Sequence, residues 1–208
     1  MKYYLDITLI PDAEVGFDFL WQKVYQQIHL AIVDIGNKQK NSDSSFTIAV
    51  SFPEYGDKVF PLGSKLRLFA PTMEAFSQLE IDKWLVRLSD YVHLKAVQKV
   101  PKAVSYVCFT RQQFKTNANR LARRRAKRKG ESLEQALKHY ADFEGHESEL
   151  PFVNMMSLSS GEHSSNQENH RFRLFIGKEA ITDPKIGLLN AYGLSSSDSN
   201  TQTSVPWF

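Results

Sequence analysis

The chain has 208 residues, of which 42% are hydrophobic and 12% aromatic, so it can bury a core and is not a disordered polymer. Its net charge is only +3, yet residues 111–130 carry nine Lys or Arg and no acid. The rest of the chain therefore has a net charge of about −6. A single cysteine, Cys108, excludes intramolecular disulfides, and no apolar run or basic leader suggests a membrane span or a signal peptide. The composition predicts a soluble, cytoplasmic protein with one local basic surface.

The first hundred residues switch repeatedly between strand and helix patterns. Alternating apolar residues predict a strand at 3–10, and an apolar stripe at helical spacing predicts a helix over 17–35 that Gly36 and a polar run bring to an end. Strands are expected at 46–52, 64–70 and 92–100, with a helix over 72–87 that Thr72 caps. This order predicts a ferredoxin-like (βαββαβ) domain at residues 1–100, and Pro101 is the expected hinge.

Residues 101–208 are predicted to form a second α+β domain that carries an arginine-rich helix. Strands are expected at 105–111, 152–158, 171–176 and 188–194. The polar tracts 159–170 and 195–204 are predicted to be flexible loops, and the apolar ending "VPWF" is expected to tuck into the fold. The fold class is therefore α+β in both halves.

The predicted helix of the second half contains an unusual density of positive charge. Seven of the ten residues 120–129 are Arg or Lys, with no acid among them. At 100° per residue, five of them fall within an arc of about 140°, opposite Ala122 and Ala126. We call this arc the basic face: Arg120, Arg123, Arg124, Lys127 and Arg128. The alternative is a solvated charged face or a localisation signal, but a solvated face usually includes acids. A nucleic acid, either RNA or DNA, is therefore the favoured partner of the basic face.

Two residues just before this helix have side chains that suit base recognition. Arg pairs bidentately with guanine and Gln with adenine, and Arg111 and Gln113 are two positions apart on an extended segment. They could therefore read adjacent bases. An ordinary surface strand carrying both residues is an equally good explanation of this pattern alone.

The six histidines show no metal-ligand spacing, so a metal site is not expected. His29 differs from the others because it lies at the border of the apolar stripe of the first helix, one turn after Tyr25. A half-buried imidazole there can have a pKa tuned for acid–base chemistry. A purely structural histidine is the alternative.

Several segments together resemble a known family. They are "YYLDITLIPD", His29 in the first helix, "TRQQFKTNANRLARRRAKR", "SLSSG", "RFRLFI", "YGLS" and "VPWF". In this combination and order, which covers nearly the whole chain, they resemble the CRISPR repeat-processing endoribonuclease of type I-F systems. The resemblance implies binding of a CRISPR repeat RNA hairpin and cleavage at its 3′ foot without a metal or other cofactor. It also implies retention of the product as part of a surveillance complex with other subunits, with the chain a monomer by itself.

The resemblance also implies site residues. His29 matches the catalytic histidine, Tyr192 the tyrosine that orients it by a hydrogen bond, and Phe172 the aromatic that stacks at the base of the stem. Ser157 matches the serine that holds the nucleophilic hydroxyl, with Ser159 as its neighbour, although Ser159 and Ser160 stay open for that place. Arg111 and Gln113 match the pair that reads the last bases, and Lys115 and the basic face are assigned to RNA binding.

These assignments define a metal-independent reaction. His29 would remove the proton of the ribose 2′-OH, which attacks the phosphate and leaves a 2′,3′-cyclic phosphate and a 5′-OH strand. The main alternative is a non-catalytic RNA-hairpin-binding protein, for which His29, Ser157 and Tyr192 would be incidental. A DNA-binding regulator is disfavoured because the sequence shows no helix-turn-helix and no dimerisation zipper.

Overall fold

The computed structural model describes residues 1–38, 46–102, 104–114, 118–141, 148–157 and 171–208, with Arg120 described by its backbone alone. The chain divides into two compact units, Met1–Gln112 with Pro151–Phe208, and Gln113–Leu150. Both β-sheets belong to the first unit. The division at residue 101 expected from the sequence stays a prediction.

The first sheet is antiparallel throughout and is built from the first hundred residues. Its strand order is β2-β3-β1-β4, and the short β5 also pairs with β1. The elements of this part are β1 (Tyr3–Leu9), α1 (Phe17–Lys38), β2 (Ala49–Ser51), β3 (Lys65–Ala70), α2 (Met73–Leu79), α3 (Ile81–Leu85), β4 (Val92–Leu94) and β5 (Gln98–Lys99).

Helix α1 buries the stripe that its sequence pattern predicts. Its fully buried members include Leu20, Val24, Ile28 and Ala31. The helix continues to Lys38 instead of ending at Gly36. A Cβ at Gly36 would lie 2.6 Å from the Phe46 ring, so this glycine serves close packing within the helix and does not end it.

The predicted helix over 72–87 is wrong as a single element. Thr72 caps α2 as expected, accepting the Ala75 N–H at 3.3 Å. Glu80 then adopts a left-handed conformation with φ of 47°, which ends α2, and a 3₁₀ turn at Val86–Tyr91 follows α3. The strand expected at 92–100 is likewise broken into β4 and β5.

The second sheet is also antiparallel, with strand order β7-β8-β6-β9. Its strands are β6 (Ser105–Gln112), β7 (Phe152–Met156), β8 (Arg171–Ile181) and β9 (Val205–Trp207). The edge of the Phe52 ring meets the Phe109 ring, with centroids 5.1 Å apart, so the cores under the two sheets are continuous within this unit. The fold is therefore α+β.

The apolar C-terminus tucks into the fold, as its sequence predicts. Strand β9 pairs with β6, and Arg67 donates to the Phe208 carbonyl oxygen at 3.1 Å. The Arg67 guanidinium lies over the rings of Tyr4 and Phe208, 4.7 and 4.1 Å from their centroids, and pairs with Asp6 at 2.6 Å. This buried ion pair and the two rings hold the chain end on the first sheet.

The strand expected at 188–194 is wrong, because this segment forms a tight turn. The Asn190 side-chain oxygen accepts the N–H groups of Tyr192 and Leu194 at 2.9 and 3.2 Å. Gly193 has a φ of 69°, and its carbonyl accepts the Val50 N–H at 2.8 Å. The Asn190 side chain thus takes backbone N–H groups that a strand would pair with its neighbour, and Gly193 provides the conformation that the turn needs. The hydrogen bond from Val50 holds the turn against β2.

The two tracts predicted to be loops differ. In 195–204, Ser195, Gln202, Thr203 and Ser204 are buried, and the Thr203 N–H donates to the Ser195 hydroxyl at 2.8 Å. This tract is packed, so the expectation of a flexible loop is wrong for these residues. The tract 159–170 lies outside the described residues.

Within its described residues, the second unit contains two helices, α4 (Ala118–Lys129) and α5 (Leu133–Lys138). Gly130, with φ of 68°, follows the end of α4, and Ser132 starts α5 with a capping box that includes Gln135. In the described part of the chain, no helix is long and apolar enough to cross a membrane.

Candidate functional site

The imidazole of His29 is held from one side by the turn that follows Leu189. Its Nδ1 lies 2.8 Å from the carbonyl oxygen of Ala191. Because a carbonyl oxygen only accepts hydrogen bonds, Nδ1 carries the proton and donates it. The neutral ring therefore has its lone pair on Nε2, which is the form that a general base requires.

Tyr192 covers the flat face of the same imidazole. The two rings are stacked, with centroids 4.4 Å apart and an interplanar angle of 18°. Tyr25, one turn before His29 on α1, donates from its hydroxyl to the Tyr192 carbonyl at 3.0 Å. The expectation that Tyr192 holds the ring by a hydrogen bond is thus corrected: the Ala191 carbonyl makes that bond, and Tyr192 contributes a stacked ring.

The surroundings of His29 favour its neutral form. Burial lowers its pKa, the hydrogen bond to Ala191 opposes this, and the nearby Arg111 charge lowers the pKa further, for a net decrease below the ordinary value of 6.5. The lowered pKa favours the neutral imidazole, whose Nε2 can accept a proton.

A cavity of about 230 Å³ opens beside this histidine. Its wall brings together four residues that the sequence analysis singled out, each from a different segment of the chain: His29, Ser157, Phe172 and Tyr192. The edge of the Phe172 ring faces Tyr192, with centroids 6.4 Å apart. The remaining lining residues are Gln26, Leu30, Val33, Met155 and Met156.

Arg111 on β6 lies against the aromatic side of this site. Its guanidinium carbon is 5.2 Å from the Tyr192 ring centroid and 5.5 Å from that of Phe172. A cation over two ring faces is held by their quadrupoles, and Arg keeps its hydrogen-bond donors available at the edge. Arg111 is thus part of the electrostatic surroundings of His29, a place that spacing along the chain does not reveal.

Gln26 is the one polar residue of this lining that the sequence analysis does not single out. It lies on α1 three residues before His29, and its side-chain oxygen accepts the Met156 N–H at 3.1 Å. Its amide nitrogen is buried and has no hydrogen-bond partner among the described residues. Nothing in the sequence separates it from the other glutamines of α1, because its burial depends on β7.

The second unit contains the helix that carries the basic face. On α4 the described members of the basic face, Arg123, Arg124, Lys127 and Arg128, are exposed, and Ala122 is buried as the helical wheel predicts.

Arg125, which falls outside the basic face, has partners within its own unit. Its Nε forms an ion pair with Glu131 Oε1 at 2.6 Å, although the angle between them does not meet the geometry of a hydrogen bond. Its Nη2 lies 3.0 Å from His139 Nε2. Arg125 is therefore held by partners in its own unit, whereas the four described residues of the basic face are exposed and all carry positive charge.

The remaining predicted residues are less informative. Gln113 is exposed just after β6, whereas Lys115, Ser159 and the Arg120 side chain lie outside the described residues. Among the described residues, no group of three or more His, Cys, Asp or Glu is arranged to hold a metal ion.

Comparison with known proteins identifies the family. The family model described as CRISPR-associated protein (Cas_Csy4) matches residues 4–208. The chain belongs to the Csy4 family of CRISPR-associated proteins. It is 32% identical over 209 residues to a CRISPR-associated endonuclease Cas6/Csy4 of Escherichia coli (strain UTI89 / UPEC), with both chains fully covered. It is 33% identical over 210 residues to the protein of the same name from Pseudomonas aeruginosa (strain UCBPP-PA14), again over the full length of both.

The Csy4 family match confirms the resemblance read from the motifs, and it includes every residue of the cavity wall. A solved structure named CRISPR associated protein Cas6 covers 99% of this chain and 98% of its own at 11% identity. Its TM-score of 0.30 is too low to bear on the fold. Family membership is therefore established by the sequence matches, which assign no role to a single residue.

Proposed function

We propose that the chain is an endoribonuclease that binds the hairpin of a CRISPR repeat RNA and cuts it at the 3′ foot of the stem. The observation that carries the proposal is the His29 imidazole, whose Nδ1–H donates to Ala191 so that Nε2 is left as a base beside a cavity. The names of the two full-length relatives, which describe CRISPR-associated endonucleases, support the same reaction class.

The proposed reaction uses the ribose of the RNA as its nucleophile. His29 Nε2 takes the proton of the 2′-OH, and the 2′ oxygen forms a bond to the adjacent phosphorus. The bond from phosphorus to the 5′ oxygen then breaks, that oxygen takes up a proton from solvent water, and His29 returns to solvent the proton that it accepted. The products are a 2′,3′-cyclic phosphate and a 5′-OH strand. No divalent ion takes part in this scheme.

The other cavity residues position the reacting groups. Ser157 holds the 2′-OH and ribose, which supplies proximity and orientation. Tyr192 fixes the plane of the imidazole through its stacked ring, and Phe172 stacks at the base of the stem. The shared cavity wall supports these roles, since it contains all four side chains.

The basic face supplies affinity for the hairpin. Arg120, Arg123, Arg124, Lys127 and Arg128, with Lys115 and Ser159, bind the RNA, and Arg111 and Gln113 read the terminal bases of the stem. The major groove of A-form RNA is usually too narrow for side chains. A short stem is open at its ends, so long Arg side chains of α4 enter from the loop end. Recognition then rests on stem length, phosphates and the terminal pair.

The base-reading part of this proposal has its own test. Replacing Arg111 or Gln113 by Ala should cost about 1–3 kcal/mol of binding free energy and relax preference at one base near the foot of the stem. Binding constants for hairpins that vary only in the terminal pairs measure this. Uniform weakening across all hairpins would place both residues on phosphates instead.

The finer architecture is also part of the proposal. Residues 1–100 form a ferredoxin-like domain, which the strand order β2-β3-β1-β4 and its antiparallel pairing support. Residues 101–208 form the RNA-binding domain with the arginine-rich helix. The chain acts in the cytoplasm, is a monomer by itself, keeps the crRNA it produces and joins other subunits of an RNA-guided surveillance complex.

Cleavage in the presence of EDTA tests the proposed function. The purified chain is mixed with a labelled repeat RNA, and in parallel with the same RNA carrying a 2′-deoxy nucleotide at the cut site. We expect the first RNA to be cut to a 2′,3′-cyclic phosphate product and the second to be bound without cleavage. Binding of both RNAs without cleavage of either would instead show a non-catalytic hairpin-binding protein.

A further inference from the structure

The carboxamide of Gln26 is a buried polar group beside the proposed reaction centre. Gln26 is 9% exposed and lies one turn before His29 on α1. It lines the same cavity as His29 and Ser157. Its position therefore puts an amide next to the two residues that are proposed to handle the 2′-OH.

The orientation of this amide is fixed by one hydrogen bond. The Met156 N–H is a donor and must meet an acceptor, so the atom 3.1 Å from it is the side-chain oxygen. The nitrogen then takes the other position, where it finds no acceptor among the described residues. Buried donors are nearly always paired, so a donor beside a cavity that has no partner among the described residues points to a partner that arrives with a ligand.

We propose that Gln26 donates a hydrogen bond from Nε2 to a non-bridging oxygen of the scissile phosphate. This inference rests on the proposed function. An amide NH₂ only donates and a non-bridging phosphate oxygen only accepts, so the two are complementary. Negative charge grows on those oxygens as the 2′ oxygen attacks, and a fixed donor in a water-poor site stabilises it. Gln26 Nε2 is buried in the RNA-free chain, so its contact with the phosphate oxygen requires a small adjustment of the cavity wall.

A purely structural role is the competing explanation. In that case the Gln26 oxygen would hold β7, and thereby Ser157, against α1, and the nitrogen would be incidental. Gln26→Glu separates the two roles because the carboxylate keeps an acceptor for the Met156 N–H but loses the NH₂ donor. Gln26→Met loses both groups at similar volume. Gln27→Met, at a neighbouring α1 position outside the cavity wall, is the matched control.

The first measurement is the single-turnover cleavage rate of a repeat hairpin at saturating protein. We expect Gln26→Glu and Gln26→Met to lower the rate roughly 10- to 100-fold, the scale of one hydrogen bond to a charged group. Binding of the 2′-deoxy hairpin should stay within a few-fold, and Gln27→Met should match the wild type. If Gln26→Glu cuts at the wild-type rate while Gln26→Met is slow, the Gln26 oxygen only holds β7 against α1. That result would overturn the proposal.

The second measurement replaces each non-bridging oxygen of the scissile phosphate by sulfur, a weak acceptor. In the wild type one diastereomer should be cut more slowly, and this penalty should shrink in whichever Gln26 variant folds, because the same interaction has already been lost. An equal penalty in wild type and variant overturns the proposal. Failure of the proposed function is distinguishable, since the wild-type chain would then cut no hairpin at all.

A third measurement needs no variant. The side-chain amide resonances of Gln26 are followed by NMR while the wild-type chain binds the 2′-deoxy hairpin. We expect a shift with the phosphate hairpin that is reduced with one sulfur diastereomer. Resonances that do not respond to the hairpin would overturn the proposal even if both variants failed to fold.

Discussion

The cavity beside His29 and the basic face of α4 are assembled in opposite ways. The cavity collects side chains from α1, β7, β8 and the turn at Asn190, and it holds them by backbone carbonyls and stacked rings. The described residues of the basic face come from one continuous helix and are exposed. One region depends on the whole fold of its unit, and the other on local helical periodicity.

This difference predicts two kinds of response to substitution. A half-buried imidazole with a fixed tautomer performs one step that no neighbour can take over, so its loss should slow the reaction strongly. Exposed charges act through a screened field that several residues share, so each loss should weaken binding by a limited amount that depends on salt. Substitutions in the cavity should therefore separate cleavage from binding, and substitutions on α4 should not.

The largest expected effect is that of His29→Ala. It removes the base and should lower cleavage by on the order of 10² to 10⁴, the usual contribution of general acid–base catalysis. Hairpin binding should stay within a few-fold, because the imidazole acts on a proton. His93→Ala, at an exposed position of β4, is the control and should cut at the wild-type rate. Loss of hairpin binding by a folded His29→Ala would make His29 a binding residue.

The next effect concerns the salt dependence of binding. Replacing Arg124 and Arg128 by Gln keeps helix propensity and removes two exposed charges. The slope of log affinity against log salt should fall by up to about two units, since each neutralised phosphate releases condensed counterions. Binding of one hairpin is measured at several salt concentrations.

The control for this pair removes the same charge from the same unit. Arg125 is unsuitable because its ion pair with Glu131 adds a structural effect. Lys129 and Lys138 are exposed and lie outside the basic face, so their replacement by Gln should change the slope less. Equal slopes for both double variants would mean that the charge acts diffusely and that α4 has no RNA-binding face.

A smaller effect distinguishes the ring of Tyr192 from its hydroxyl. Because the ring is stacked on His29, Tyr192→Phe should keep the cleavage rate near the wild-type value. Tyr192→Leu should lower the rate about 2- to 10-fold, the scale of one aromatic pair. Single-turnover cleavage measures both variants. A slow Tyr192→Phe would show that the hydroxyl takes part and that stacking alone does not position His29.

The parts of the fold that sequence predicted are those in which one local rule decides. The α1 stripe follows from spacing alone, and so does the placement of Ala122 on the buried side of α4. The sequence does not predict the break at Glu80, because a left-handed conformation is uncommon for a residue other than glycine. The segment 188–194 looks like a strand because it is apolar, yet the Asn190 side chain and Gly193 turn it.

The candidate site shows the same limit more sharply. His29 stood out because a histidine at the edge of an apolar stripe is unusual. Only the family resemblance points to Tyr192 and Ser157, because their approach to His29 depends on segments that lie far from it along the chain. Gln26 has no signal in the sequence, because only the contact of its oxygen with the Met156 N–H leaves its nitrogen without a partner among the described residues.

The smallest expected effect is a change in the His29 pKa on replacement of Arg111. A positive charge nearby disfavours the imidazolium, so Arg111 holds the pKa of His29 down, in addition to the larger effect of burial. Arg111→Gln removes that charge, so the pKa of His29 should rise towards its ordinary value. At a fixed mildly acidic pH, less of the imidazole would then be the free base, and the acid limb of the cleavage profile would move to higher pH.

An NMR titration of the RNA-free chain measures this pKa without involving RNA binding. Arg173→Gln is the matched control, since Arg173 lies over the Phe152 ring at 4.8 Å and does not line the cavity. It should leave the His29 titration unchanged. If Arg111→Gln leaves the pKa unchanged or lowers it, burial alone sets the protonation of His29. Arg111 would then act on the RNA only, and the cavity would be independent of the cation that lies against its rings.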